Sequence, residues 1–541
     1  MKNAIKNITN RVSSKFAIQK KFNLNAAGIV SGYFTPETKR AAFLVNTFLL
    51  IFLSLSIMTG QAKAANSFVV NINTDVVDAN VGDGACDSNL GAAGEQCTLR
   101  AAIQEANASL GIDFVSFNIS FPNTVNLTLG ELLITDTVAV NGPGARFLTV
   151  QRAPGAANFR IFHLDASNST VNIGGMTIAN GNPVGGNNAG AGIYNDSTTC
   201  TLNLTAATVK NNTTSYFGGG IFNIGTLNIT RSTISGNTAQ QGGGINHNFG
   251  TANISNSTVT GNTASGASGV IIGGGIISYH QMTLNNVTIS NNTAGQSGGL
   301  EKSGQQPTSV RNTIIAGNIA SQNPDIGGAA TSAGNNLIGI SDGSNGFTNG
   351  ANGDKVGTSA VALDAKLGAL QDNGGLTDTR TLLAGSPAID AGSNCVINLS
   401  CPAANPSQSL TSDQRGAGFS RQIDGDNNGT ATVDIGAFET LLITTAAEVV
   451  VGGRVLTAGG KGISNVRVDM IFPDDETRTI VSGAGGYYQF SDVPAGQTYI
   501  ISVSAKRYTF AQATQIRSIS GDANDIDFIV NALPRIAILP Q

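Results

Sequence analysis

Gly218-Gly219-Gly220-Ile221 leads into Leu227-Asn228-Ile229 and then Thr233-Ile234-Ser235-Gly236-Asn237. At Gly242-Gly243-Gly244-Ile245 the series begins again, with Ala252-Asn253-Ile254 and Thr258 to Asn262 in the same order. The same opening stands at Gly190-Ala191-Gly192-Ile193, at Gly273-Gly274-Gly275-Ile276 and, shortened, at Gly298-Gly299-Leu300. The apolar residues that follow these glycines are 28, 24, 31 and 24 residues apart. The closing Thr-(Val/Ile)-x-x-Asn segment also occurs at Thr208 to Asn212, Thr288 to Asn292 and, more loosely, Thr313 to Asn318. A unit of this length with about three short β-branched strands and no helical run cannot bury its own apolar face, so the units must stack. Gly and Asn supply the left-handed corners between strands. The expectation is a parallel β-helix in which Asn residues stacked at one corner bond along the axis, as Asn ladders do in cross-β stacks. A propeller needs longer units, and a β-sandwich would make the similarity accidental. Insertions such as Ser265 to Ile272 are expected to bulge from one corner.

Composition agrees. The chain has 541 residues, enough for three or four domains. Gly accounts for 68 of them, charged residues for 12%, aromatics for 6%, and there is no Trp. Hydrophobic content of 40% suffices for a core and excludes a disordered chain. The basic density of a nucleic-acid binder is missing. Three His and five Cys leave little material for a metal enzyme.

The front of the chain reads as a targeting segment. Residues 1–40 carry eight Lys/Arg and one acid, Ala41 to Met58 are apolar, and Ala62-Lys63-Ala64 is a small-x-small site. That order describes a secretory signal over 1–64, with a retained membrane anchor as the competing reading. Removing it takes nine of 30 basic residues and one of 34 acids, leaving a net charge of about −12. Such a chain is not drawn to DNA or anionic membranes, and no stable span is expected after cleavage. Cys86 with Cys97, and Cys395 with Cys401, are spaced to close small loops in an oxidising compartment. Cys200 reads as a buried thiol.

A β-helix exposes a strand edge at each end and needs caps. Cys97-Thr98-Leu99-Arg100-Ala101-Ala102-Ile103-Gln104-Glu105-Ala106 reads as a short helix with Thr98 as N-cap. With Val77 to Cys86 before it, residues 65–110 resemble the CSLREA domain of exported bacterial β-helix proteins. The family's motif is Cys-Ser-Leu-Arg-Glu-Ala. Here Thr98 keeps the cap, while Ala101 replaces the Glu and loses half of the capping box. Beyond the repeats of 111–345, residues 346–440 contain Gly385-Ser386-Pro387-Ala388-Ile389-Asp390-Ala391-Gly392, Asp413-Gln414-Arg415-Gly416 and Val433 to Glu439. This resembles the choice-of-anchor module that ends bacterial surface β-helices, which implies a secreted or cell-surface protein. Residues 441–541 alternate as short strands, among them Gly462 to Val468, Gly486 to Gly496 and Tyr499 to Val503. They resemble the carboxypeptidase regulatory-like domain, an accessory sandwich; the zinc-peptidase His-x-x-Glu does not occur in this chain.

The search for chemistry yields little. Between 170 and 320 the charged residues are Asp196, Lys210, Arg231, Glu301, Lys302 and Arg311, with no visible acid pair of the kind glycoside hydrolysis needs. His247 and His280 lie in successive turns and are candidates to neighbour each other on one surface; two His without a third ligand make a poor zinc site. His163 sits in an apolar strand and reads as structural. The best metal signal is Asp424, Asp426, Asn428 and Thr430, which match the start of an EF-hand-type loop. Position 12 is Ile435, and Asp434 stands one place early. A calcium ion here would be structural, and a plain Asx-rich turn is the competing reading. Asp78, Asn80 and Asp83 form a weaker set. No cofactor is otherwise indicated.

The expected fold is therefore all-β: a right-handed parallel β-helix with a short N-terminal capping helix and a C-terminal β-sandwich. The expected role is adhesion or structural display outside the cell, with glycans or other cell-surface components as partners and no nucleic acid. No catalytic residue is indicated, and a polysaccharide lyase or hydrolase is the alternative.

Overall fold

The computed structural model describes residues 65–531, apart from 187, 267–268, 404, 427, 441–447 and 473–475. The expected signal at 1–64 lies outside the described residues. Among the described residues no helix is long and apolar enough to cross a membrane.

A parallel β-solenoid of about nine turns occupies 113–338. One turn shows how it is built. Ile221–Asn223 joins an eight-stranded parallel sheet that runs from Leu132–Ile134 to Ile326–Gly328. Thr226–Thr230 and Thr233–Ser235 then form the other two walls. Residues pair with their equivalents one turn away: Leu202 with Leu227, Leu227 with Ala252, Ile234 with Val259. In Thr226–Thr230, Leu227 and Ile229 point inward and are fully buried while Thr226, Asn228 and Thr230 face out, the period-2 pattern of a half-buried strand. The inward residues of successive turns make one continuous apolar core from Phe68 to Phe347.

The corners explain the composition. One row of left-handed residues comprises Ala206, Arg231, Asn256, Asn286, Asn312 and Asn335; a second comprises Asn211, Gly236, Gly261, Asn291 and Gly317. In the glycine triplets the first residue is left-handed, with φ 64° at Gly218 and Gly242. The third is pressed against the next turn: a Cβ on Gly220 would stand 2.6 Å from the Gly244 carbonyl oxygen. Only glycine fits both demands.

Beside the second corner runs the expected Asn ladder: Asn212, Asn237, Asn262, Asn292 and Asn318, all buried. Each donates its backbone N–H and its Nδ2–H to the Oδ1 of the next; for Asn262 to Asn292 the distances are 3.0 and 2.9 Å. Nδ2 also reaches a carbonyl of the preceding turn, Ile234 in the case of Asn262, at 2.9 Å. The ladder stops at Asp325, whose Oδ1 accepts both donors of Asn318 and whose Oδ2 accepts from Ile340 N–H. An acceptor-only side chain thus closes the row.

At the N-terminus, helix α1 (Leu99–Ala108) packs its apolar face on the first strands. Thr98 Oγ1 accepts from Ala101 N–H at 3.1 Å, the expected cap. Cys86 and Cys97 are disulfide-bonded, as are Cys395 and Cys401. Cys200 is free and buried, and burial pushes its thiol up to about 11, out of the reactive range.

The segment after the solenoid lies along its flank. Gln414 bonds Thr233, Thr258 and Thr377; Asn256 and Asn286 bond backbone carbonyls at Ser412 and Asp434; Asn312 bonds Ser393. This docking covers the wall formed by Thr233–Ser235 and its equivalents. Farther on, Glu448–Leu456, Tyr487–Pro494 and Phe528–Ile529 form one sheet. Arg467–Ile471, Thr477–Val481, Gln497–Ser504 and Thr514–Ile519 form another, and a shared apolar core that includes Val468, Tyr499 and Phe528 lies between them.

Candidate functional site

Two walls of the solenoid differ in what they present. The wall of Thr170–Gly174, Thr201–Thr205, Thr226–Thr230 and the first half of Thr251–Thr260 is flat and polar. Its outward rows are Thr170, Thr201, Thr226 and Thr251, and beside them Asn172, Asn203, Asn228 and Asn253. The register is unbroken, so groups repeat at the strand spacing of about 4.8 Å across and about 6.7 Å along the strand. Asn253, Asn228 and Asn203 each donate Nδ2–H to the Oδ1 one turn earlier, at 2.9, 2.8 and 2.8 Å. Each amide keeps one N–H and one lone pair for solvent. These side chains are half-buried and their rotamers are fixed by the ladder, so a ligand meets preset donors and acceptors.

The second wall is the eight-stranded sheet. Its central, outward row runs Leu133, His163, Tyr194, Phe222, Asn246, Ile277, Glu301. At its N-terminal end the structure assembles a charged group. Glu131 precedes the strand of Leu133 and Asp196 follows that of Tyr194, so they bracket His163. Nδ1 of His163 lies 2.8 Å from Glu131 and Nε2 lies 3.5 Å from Asp196. Arg160 Nε lies 3.1 Å from the other Glu131 oxygen, and its guanidinium lies over the Tyr194 ring at 4.5 Å. Tyr194 Oη donates to Asp196 at 2.6 Å. Burial alone would raise the Glu131 pKa, but the His163 hydrogen bond and the Arg160 charge outweigh it and hold the carboxyl below its usual value. His163, expected to be structural, is the centre of this group.

Glu301, on the same row, accepts from Ser297 at 2.6 Å and Ser303 at 3.0 Å. Lys302 is turned to the Gly304 carbonyl.

His247 and His280 are not two members of one surface. His247 faces inward and is fully buried in a polar row with Asn195, Asn223 and Ser278. Its Nδ1 accepts from Asn223 at 3.1 Å and its Nε2 donates to the Gln281 carbonyl at 3.1 Å, which fixes the neutral tautomer. His280 lies outside against Phe249, with Nδ1 at 2.6 Å from the Gly250 carbonyl. Desolvation lowers the His247 pKa to about 4. A depressed histidine pKa means that the unfolded chain binds the extra proton. Stability from this group is therefore complete above about 6.5, is lost as pH falls towards 4, and is constant below; the loss is about 3 kcal/mol. His247→Asn should remove that slope from urea midpoints measured between pH 7 and 4.

Of the residues expected to hold calcium, the structure brings Asp424 and Asp426 together and adds Asp390, one oxygen from each lying within 4.8 Å of the others. Most of these oxygens already accept hydrogen bonds inside the loop. Asp424 accepts from Asn428 and Gly429 N–H, Asp426 from the Asn428 N–H and amide, and Asp390 from Asp426 N–H. Asn428 accepts from Thr430 N–H, which occupies that pair in a turn of their own. Asp434 is turned into the interior, where it accepts from Asp390 and Thr440 N–H. These are the hydrogen bonds of an Asx-rich turn, and the three carboxylates Asp390, Asp424 and Asp426 stand together there. At the weaker set, both Asp78 oxygens accept backbone N–H groups, from Asn80 and Asp87.

Comparison with known proteins adds one element. Residues 450–531 match the family model of the carboxypeptidase regulatory-like domain. No curated protein and no solved structure matches the chain. The chain thus joins a parallel β-solenoid to a C-terminal carboxypeptidase regulatory-like domain.

Proposed function

We propose that this is an exported, surface-associated protein that acts in adhesion or structural display and contacts glycans through the flat Thr/Asn wall. The observation that carries the reading is the unbroken register of Thr201, Asn203 and Thr205 with their equivalents: a periodic array of fixed amides and hydroxyls suits a polymer with periodic hydroxyls. Each contact is weak, and affinity accumulates over rungs as in multivalent binding. The resemblance of 65–110 to the CSLREA domain and of 346–440 to the choice-of-anchor module supports a surface location, and two disulfides suit an oxidising compartment. The terminal sandwich then serves as a spacer or docking unit. The full chain should bind insoluble or arrayed polysaccharide, and Asn228→Lys, which places a long cation in the middle of the array, should abolish that binding with circular dichroism unchanged. Retention of binding by Asn228→Lys would remove the wall from the account.

A further inference from the structure

We propose that Glu131, Arg160, His163, Tyr194 and Asp196 form a second saccharide site, one that grips the hydroxyls of a single sugar residue and does not cleave it. The proposal rests on the reading that glycans are the partners, but on a different wall and different residues. Charge is scarce in the later rungs, with six charged residues between 170 and 320, of which Asp196 is one. Here Glu131, Arg160 and Asp196 gather around one imidazole on three successive rungs. Such a group is not a general demand of the fold: the next rungs of the row that holds His163 and Tyr194 carry Phe222, Asn246 and Ile277, and a buried ion pair can often be exchanged for apolar residues without loss.

The carboxylates are also unequally used. Arg160 is nearly buried, whereas the Glu131 and Asp196 side chains remain about one-third exposed, at 34% and 33%. Arg160 and Tyr194 orient the two carboxylates from behind, and their outer lone pairs point to solvent as charged acceptors for hydroxyl donors. A hollow of about 360 Å³ opens beside Glu131, between helix α1 and the first strand of the sheet. Ile103, Asn107, Glu131 and Leu133 are on its wall, and Leu133 is 43% exposed. An apolar side chain next to a charged acceptor matches the two faces of a sugar ring, and the volume lies in the range of small-ligand sites.

Cleavage is disfavoured by the same geometry. An acid and base pair needs the glycosidic oxygen, and for inversion a water, in the gap between the carboxylates. The His163 ring fills that gap.

The test is isothermal titration of the full chain with short cello-, xylo- and mannooligosaccharides, with product analysis alongside. At least one series is expected to bind. Glu131→Gln and Asp196→Asn keep shape and lose charge, and each should weaken that binding by about tenfold at unchanged circular dichroism. Tyr194→Phe, which only releases Asp196, should weaken it less. Asn228→Lys is read on arrayed polysaccharide and Glu131→Gln on short oligosaccharides, so failure of the flat wall and failure of this site are separately visible. Wild-type binding to none of the probes, equal binding by Glu131→Gln and Asp196→Asn, or the appearance of shortened products would each overturn the proposal.

Discussion

Arg421→Ala is expected to cost about 3–5 kcal/mol and to release the flanking segment from the solenoid. Arg421 is fully buried. Its guanidinium donates twice to Asn256 Oδ1 on the solenoid corner, at 3.1 and 2.8 Å, and to the Gly436 carbonyl at 2.8 Å. It also pairs with Glu439 at 3.3 Å. Close by, Arg415 pairs with Asp413 at 2.7 Å and lies between the Phe419 and Phe438 rings. The cluster thus holds three acids, Asp413, Asp434 and Glu439, against two guanidinium groups. Burial, reinforced by the Asp434 charge, pushes the Glu439 carboxyl far above its usual range, and Arg421 offsets this only in part. A carboxyl pushed up in this way is expected to keep its proton at neutral pH.

An acid with a raised folded pKa holds a proton that the unfolded chain releases. Its contribution to stability is complete below about pH 4.3 and declines as pH rises towards the folded value. Glu439→Gln cannot ionise, so it should flatten that alkaline decline and exceed the wild type in melting temperature at pH 9. Arg421→Ala should fall below it at every pH, with limited proteolysis cutting between 377 and 437. Parallel pH profiles for the wild type and Glu439→Gln would mean that Glu439 is charged in the folded state.

The second large effect is expected in the Asn ladder. Asn262→Ala removes the acceptor of two donors on Asn237 and the donor to both Asn292 Oδ1 and the Ile234 carbonyl. All are buried, and water has no route to replace the lost partners. At about 1–3 kcal/mol for each unsatisfied group, partly relieved by relaxation, the total is about 3–5 kcal/mol. Asn262→Asp keeps the acceptor but loses the donor, so two acceptors face each other across the turn. It should be destabilising too, and more so at pH 8 than at pH 4, as the carboxylate ionises. Asp325 tolerates a carboxylate at the end of the row because its oxygens meet donors, from Asn318 and from Ile340 N–H. Equilibrium unfolding in urea measures both variants.

The repeat made most of the fold legible. Gly218 to Ile221 and its copies fix the turn length, Thr233 to Asn237 and its copies fix the laddered corner, and the spacing of Cys86 with Cys97 and of Cys395 with Cys401 matched the bonds that form. Thr98 declared its cap. The charged group on the eight-stranded sheet was hidden because Glu131 and Arg160 precede the first glycine-rich copy, where no periodic signal sets the register that aligns them with Asp196. The orientation of His247 was readable in principle: in a three-residue strand that begins with buried Ile245, the residue two places on faces the same way. The docking of Arg421 on Asn256 was not readable, since 165 residues separate partners that share no pattern. The local motif brought Asp424 and Asp426 together, while the approach of Asp390 and the inward turn of Asp434 are set by the fold and not by spacing.

The account as a whole turns on recognition without turnover. The decisive measurement is a glycan array probed with the full chain, run together with assays for new reducing ends and unsaturated products on every bound glycan. The account predicts binding to at least one polysaccharide, weakened in Asn228→Lys, and no product from any. Release of products from a bound glycan, or binding to none, would contradict it.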